Sequence, residues 1–384
     1  MALRTTQNSN YLDTRTNKEN TERAGKQHVT KNTFGTRAAL GDIHNKVSNL
    51  RIKDAAKKPV NKGLTKHQAT TSLKNIAEKE NSRAKAEVPI GKISPVKAYS
   101  SYVLPSNVVD IDREDYENPQ LVSEYVNDIY DYMRFLENKY AVEADYLGAS
   151  QEINGRMRSI LIDWLIQVHL RFHLLQETLY LSVAIIDRFL SKERVPKKKL
   201  QLVGVTAMLI ASKYEEMYAP EIGDFEYITD NAYTKAEIRR MECHILRTLD
   251  FNLGKPLCLH FLRRNSKAAV VDATRHSMAK YFMELTIIEY NMVHHAPSKI
   301  AAAALCLSMK VLGGDANWTD TMSFYSAYPE SEIKPVMRQI AACVQKADTG
   351  KHTAVYNKYS SSKFGKISKY PELKGPVISK VADS

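Results

Sequence analysis

Residues Met157 to Pro220 restrict the fold of this chain more than any other stretch. They run from Met-Arg-Ser-Ile-Leu-Ile-Asp-Trp-Leu through Lys-Leu-Gln-Leu to Ala-Ser-Lys-Tyr-Glu-Glu-Met-Tyr, helical in pattern and strongly apolar. Single charges (Arg158, Asp187, Lys213) nevertheless interrupt runs whose neighbours belong in a core. A lone charge in such surroundings is costly unless a partner sits beside it. On a helical wheel Met157, Ile160, Leu161, Trp164, Leu165 and Val168 share one broad face, and Ile162 and Ile166 occupy a second. A helix apolar around most of its perimeter is one enclosed by others.

From Asn154 onward the pattern is helix after helix, at about 155–171, 176–191, 197–215, 222–229 and 234–249, with breaks at Val195-Pro196 and Ala219-Pro220. After Pro256 a second set follows at about 256–264, 272–288, 297–312, 318–327 and 331–346. Two successive blocks of five helices imply a duplicated all-α module, a repeat carried by pattern and length rather than by identity. Ahead of them, Glu124 to Glu137 places Tyr125, Ile129, Tyr132, Met133 and Leu136 on one helical face. The tail from Thr349 to Ser384 is basic, rich in Ser and Lys and nearly without period, the pattern of a loosely docked extension. The organisation expected is therefore a disordered regulatory arm over 1–105, a linker and N-terminal helix over 106–153, helical blocks over 154–253 and 254–347, and an extension over 348–384.

The chain has 384 residues, 43% of them apolar, enough for a sizeable core. Its net charge of +12 lies entirely in residues 1–105, which hold 20 Lys and Arg against 8 Asp and Glu, while the remainder balances at 35 of each sign. The arm lacks Trp and any sustained period, and such a composition cannot bury enough surface to offset the entropy of ordering. Its charge suits nucleic acid, an import receptor or an acidic surface, or else is simply the solvation of an unfolded segment. Cys243, Cys258, Cys306 and Cys343 lie far apart among apolar neighbours, which suggests small buried thiols rather than a zinc site. The first residues lack a secretory apolar stretch, and the run from Ile300 to Leu312 is too short to cross a bilayer, so a soluble intracellular protein is expected. There is no Gly-rich phosphate loop, no His-Glu-x-x-His and no Gly-x-Ser-x-Gly. Neither catalysis, cofactor nor metal is expected.

In order and spacing, Arg158, Asp187, Leu202, Lys213 and Glu242 resemble the five defining positions of the cyclin box. The second block, with Leu259-His-Phe-Leu-Arg-Arg-Asn-Ser-Lys and Met292-Val-His-His-Ala-Pro-Ser-Lys-Ile, resembles that of B-type mitotic cyclins, and the likeness covers about residues 110–365. It implies an all-α fold of two tandem five-helix cyclin boxes behind an N-terminal helix. It also implies a regulatory subunit that activates the mitotic cyclin-dependent kinase at the G2/M transition and is destroyed through ubiquitin at mitotic exit. From pattern alone Lys213 and Glu242 could form an internal salt bridge; the resemblance instead implies that they bond backbone groups near the kinase's regulatory helix. Tyr214, Leu246 and Phe251 then match apolar positions that hold that helix inward, and Ile129 and Tyr132 match residues packed on the same kinase. Arg158 with Asp187 reads as a structural buried pair.

Met157, Leu161 and Trp164, with Leu200 and Gln201, match an exposed groove that takes Arg-x-Leu docking segments of substrates and inhibitors. An exposed Trp flanked by Met and Leu suits such an anchor. A-type cyclins carry an acidic residue where Gln167 stands, so weaker capture of the motif's basic residue is implied. Arg263, His276 and Lys280 match the spacing of a phosphate pocket in B-type cyclins; without the resemblance they are a solvated basic face.

In the arm, Arg37, Leu40, Ile43 and Asn45 fit the destruction-box pattern read by the anaphase-promoting ubiquitin ligase, with His44 at a position usually small. Lys18-Glu19-Asn20 and Lys79-Glu80-Asn81 resemble a second degron type, a tripeptide that also arises by chance in an Asn- and Lys-rich segment. Ser94-Pro-Val-Lys97 fits a proline-directed kinase and would add about two negative charges to a basic linker. The expected partners are the mitotic kinase, the ubiquitin ligase, and substrates and inhibitors with docking motifs, with no direct nucleic acid and no membrane, in cytoplasm and nucleus. An A-type cyclin is disfavoured by Gln167 and the second block. A cyclin-box transcription factor is disfavoured by the charge-neutral core and an arm without Cys.

Overall fold

In the computed structural model residues 104–148, 152–313 and 317–384 are described, and they are helical with no strand among them. Helix α1 spans Val126–Lys139. The first block contains α2 (Gly155–Phe172), α3 (Gln176–Leu190), α4 (Leu200–Glu215), α5 (Ile222–Ile228) and α6 (Lys235–Thr248). The second contains α7 (Cys258–Ala268), α8 (Ala273–Ile288), α9 (Pro297–Leu312), α10 (Asp320–Ser326) and α11 (Glu330–Lys346). Two short helices follow, α12 (Ala354–Tyr359) and α13 (Pro376–Asp383). The helices expected from periodicity are all present, their ends shifted by four residues at most.

Side-chain caps set several of the starts. The Asn154 side chain accepts from Met157 N at 3.0 Å ahead of α2, and Thr234 and Glu237 form a reciprocal capping box on α6. The third helix of each block is the enclosed one: every residue from Leu202 to Ser212 of α4 is buried, as is every residue from Ile300 to Met309 of α9. Gly204 makes the α4 contact possible, since a Cβ there would meet Leu161 Cδ1 at 2.7 Å. Helix α2 is also deeply buried, but it lies at a junction, touching α4 of its own block, α8 of the other and α12.

The expected Arg158–Asp187 pair forms and extends further. Arg158 Nε and Nη2 donate to the two Asp187 oxygens at 2.6 and 2.7 Å, and Tyr146 donates to the same carboxylate at 2.8 Å. Nη1 donates to the carbonyls of Ile287 and Ile288 at 3.0 and 3.3 Å, and Ser159 Oγ donates to Ile288 O at 2.7 Å. A cation thus caps the C-terminal end of α8, where the helix dipole is negative. The pair inside the first block is also a bolt to the second.

Two expectations about the framework need correction. The tail is firmly docked: Ala354, Val355, Tyr359, Ile367, Leu373 and Ile378 are all buried. Its helices and 3-10 turns are too short to show a period, so the pattern missed them. Buried Asp163 of α2 accepts from Ala354 N at 2.9 Å, and a sealed polar cluster joins all three regions. Within it Lys358 pairs with Glu284 at 2.6 Å, while Tyr359 and Gln176 donate to the other Glu284 oxygen at 3.0 and 2.8 Å.

Helix α1 docks through Met133 of its stripe, packed on the core, and through a set of polar contacts. Tyr130 donates to His260 O at 3.0 Å, Arg134 to Tyr325 O at 2.9 Å, and the Glu137 carboxylate accepts from Ser298 N and Oγ at 2.9 and 2.6 Å. All these partners belong to the second block, so the segment ahead of the first block is fastened to the second. Polar contacts of this kind leave no apolar signature, and Tyr125, Ile129 and Tyr132 of the stripe stay exposed. Finally, Cys258 and Cys306 are buried as expected, but Cys243 is exposed on α6 and Cys343 is half-buried.

Replacing Lys358 by Ala leaves the Glu284 charge buried without its cation, and a loss of about 3–5 kcal/mol in urea unfolding of the full chain is expected. Lys358→Met together with Glu284→Gln, which removes both charges and keeps an acceptor for Tyr359, should recover most of that loss.

Candidate functional site

Fifteen large apolar side chains of the described residues stay in solvent, and seven of them lie on three neighbouring stretches of chain. On α1 they are Ile129, Tyr132 and Phe135, at 43%, 59% and 59% exposure; at the end of α4 they are Tyr214, Met217 and Tyr218, at 56%, 90% and 90%; after α6 it is Phe251, at 66%. Exposed apolar side chains gathered in this way mark contact surfaces. Lys213 Nζ lies 2.7 Å from Glu242 Oε1, joining α4 to α6, with the Lys side chain half exposed and the Glu largely covered. One of the three ammonium donors is used in this bond, leaving the others directed to solvent or a partner. Leu246, one turn past Glu242, packs partly on the core.

The backbone holds these groups out. Asp250 and Phe251 have φ of 51° and 56°, left-handed values that cost a bulky residue about 1 kcal/mol or more, and Phe251 N donates to Leu246 O at 2.9 Å. Glu216 accepts from Leu175 N and Thr178 Oγ1 at 2.7 and 2.5 Å, capping the start of α3 and tethering the turn that bears Met217 and Tyr218. Tyr140, the residue after α1, donates to the Asn252 side chain at 3.3 Å, and Arg188 donates to Asn252 O at 2.6 Å while stacking over the Tyr140 ring. The end of α1 therefore sits beside the loop that bears Phe251. Lys213, Tyr214, Glu242, Leu246 and Phe251 come together on the α4 and α6 side, and Ile129 and Tyr132 face outward on α1 as expected. Phe135, Met217 and Tyr218 were missed. The signal for the last two was apolar residues in a turn just before Pro220, and for Phe135 its place three residues from Tyr132, on whose ring it stacks at 6.2 Å.

The groove differs from expectation. Trp164 is 3% exposed and Leu161 and Leu200 are fully buried; only Met157, Gln167 and Gln201 remain half exposed. The cause is the close approach of α2 and α4 permitted at Gly204, together with α12 seated on α2 through Asp163. The exposed Trp anchor is therefore absent, and Met157, Gln167 and Gln201 are the members of the set that reach solvent. Farther along α2, buried His169 donates from Nε2 to Leu175 O at 3.0 Å; burial, with nearby Lys358, holds the ring neutral with its pKa lowered to about 3.

Arg263 and Lys280 lie near the Glu177 carboxylate, and His276 is engaged elsewhere. Arg263 is ion-paired to Glu177, and His276 Nδ1 lies 2.8 Å from Ser266 Oγ. Burial pushes the Glu177 carboxyl up, but the hydrogen bond and charge of Arg263, with the Lys280 charge, hold it below the usual range. The degron residues and Ser94 lie outside the described residues. Among the described residues no cluster of His, Cys, Asp or Glu is arranged to hold a metal, and no helix is long and apolar enough to cross a membrane.

Residues 128–254 match the family description Cyclin, N-terminal domain, and residues 256–373 match Cyclin, C-terminal domain, so the junction falls between the two blocks. The chain is similar to G2/mitotic-specific cyclin-B of Spisula solidissima, 55% identical over 387 residues that cover 90% of each chain. The protein of the same description from Patella vulgata is 59% identical over 371 residues, covering 89% of this chain and 90% of the other. That from Marthasterias glacialis is 52% identical over 387 residues, covering 98% and 99%. In fold it is similar to a viral cyclin from herpesvirus saimiri solved by X-ray crystallography, with TM-score 0.52 and 21% identity over 59% of this chain and 98% of that one.

Truncating Trp164 to Ala should cost about 3–5 kcal/mol of stability, read as a lowered melting temperature. Met157→Ala or Gln201→Ala, at positions that reach solvent, should leave the melting temperature nearly unchanged.

Proposed function

The chain belongs to the cyclin family, among its B-type mitotic members, and we propose that it seats its kinase on Lys213, Tyr214, Glu242, Leu246 and Phe251, with Ile129 and Tyr132 of α1 alongside. As a mitotic cyclin it regulates a cyclin-dependent kinase and is not itself an enzyme. The observation that carries the site assignment is the set of exposed aromatic and Met side chains held beside the Lys213–Glu242 pair in a molecule whose other large apolar groups are mostly enclosed. A rigid surface that fits only the active arrangement of the kinase supplies the differential free energy that an activating shift needs. In that arrangement the kinase's strand lysine pairs with its regulatory-helix glutamate.

Around this core reading, Met157, Gln167 and Gln201, backed by the buried Leu161, Trp164 and Leu200, take docking segments of substrates and inhibitors. The Met and the two amides suit a modest, apolar-weighted contact. Arg263, His276 and Lys280 take a phosphorylated residue in exchange for Glu177. In the arm, Arg37, Leu40, Ile43 and Asn45, with Lys18, Glu19 and Asn20, engage the anaphase-promoting ubiquitin ligase; Ser94 is a modification site; and the protein works in cytoplasm and nucleus. These follow from the motifs and from the family.

The test of the kinase face is a pull-down and kinase assay with Lys213→Ala/Glu242→Ala in the full chain. The double variant should neither retain nor activate the mitotic kinase, whereas normal activation would remove the assignment. For the arm, Arg37→Ala/Leu40→Ala should persist in extracts leaving mitosis, and decay at the normal rate would show the destruction box to be idle.

A further inference from the structure

We infer that Arg264, buried in the second block, is a positioning residue for kinase engagement: it fixes α1 so that the outer face of that helix is already in place when the kinase arrives. The inference rests on the reading above that Ile129 and Tyr132 meet the kinase.

Arg263 and Arg264 are adjacent but diverge in role. Arg263 is half exposed on Glu177, whereas Arg264 is 5% exposed and makes no contact with any group assigned above to a partner. Its guanidinium donates to both oxygens of Asp112, at 2.5 and 2.6 Å, and to the Asn127 side chain at 2.9 Å. The cation lies 5.3 Å from the Tyr130 ring centre and 4.7 Å from that of Tyr325. One side chain of α7 thus gathers the strap before α1, the first and second turns of α1, and α10. Lys267, one turn on, adds a contact to Asp112 at 3.1 Å and pairs with Asp115. The strap itself runs along α10, with Val109 N donating to Thr321 Oγ1 at 3.1 Å, Tyr325 donating to Val109 O at 3.2 Å, and Asn107 donating to Asp320 at 2.8 Å.

The helix needs such a fastening. At 14 residues it is marginal on its own, and its largest apolar groups point away from the body that carries it. Its inner face adds to the packing of Tyr130 and Met133 a set of polar contacts, whose strength depends on geometry more than on buried area. If the knot is untied, the kinase must order α1 at the moment of binding, and that entropy is subtracted from affinity. A pre-tied helix avoids the loss.

The test measures binding of the full chain to the mitotic kinase for Arg264→Gln, and for Asp112→Asn, which keeps the shape of the strap and removes its charge. Each change is made in three backgrounds: the natural chain, Ile129→Ala/Tyr132→Ala, and Phe251→Ala. In the natural chain and with Phe251→Ala, Arg264→Gln should weaken binding about tenfold, and Asp112→Asn less. With the α1 face already truncated, both changes should alter affinity less than about twofold, because the helix has no anchors left to present. Equal losses in all three backgrounds would mean Arg264 acts through general stability, overturning the inference. Unchanged affinity for both Arg264→Gln and Asp112→Asn would overturn it too. If Arg264→Gln does not fold, Asp112→Asn carries the same comparison. Should Ile129→Ala/Tyr132→Ala bind the kinase normally, the assignment of α1 to the kinase fails first and this inference with it.

Discussion

The Arg158 guanidinium is where two five-helix blocks become one body. It is 1% exposed, and it spends its donors on Asp187 in its own block and on the last carbonyls of α8 in the other. Taking an arginine this far from water is worthwhile only when nearly every N–H is satisfied, and the same requirement fixes where α8 must end relative to α2. Close packing beside it reinforces the constraint. A Cβ on Gly155 would meet the Tyr290 ring at 2.7 Å, while the Tyr290 hydroxyl accepts from Leu147 N at 2.7 Å. Because Lys213 and Glu242 ride on the first block and α1 is fastened to the second, the relative setting of the blocks is also the setting of the two halves of the proposed kinase face.

The parts of the molecule outside the two blocks attach by a shared device, a buried charged or polar group that crosses to a distant element. Asp112 meets Arg264, Glu137 meets Ser298, Asp163 meets Ala354 and Glu284 meets Lys358. Buried polar contacts add little net stability compared with apolar ones of equal volume, but they tolerate few alternative arrangements. The aliphatic faces of α4 and α9 supply burial; these pairs choose the register.

That division explains what could be read from residues alone. Helix spans and the Arg158–Asp187 pair were legible, because apolar periodicity marks a packed helix and an isolated charge in an apolar run demands a partner. The tail was not, since helices as short as Ala354–Tyr359 have no measurable period. Nor was the inner face of α1, whose contacts run through Tyr130, Arg134 and Glu137. The expected groove shows a further limit. A helical wheel groups Met157, Leu161 and Trp164 on one face, but whether that face is open depends on how near α4 can come, and that is decided by Gly204 about 40 residues away in sequence. Asp163 stood in the motif as an unexplained acid and was the available clue that another segment lay against α2.

The Asp163–Ala354 bond joins residues 191 positions apart, and the Gln176–Glu284–Lys358–Tyr359 cluster spans nearly as much of the chain. During synthesis, then, α2 and α3 leave the ribosome long before Ala354, Lys358 and Tyr359 exist to complete these contacts. The first block must wait with polar atoms and apolar surface uncovered, a state that invites chaperone capture. The contacts that complete the first block are therefore supplied by a short basic segment made last.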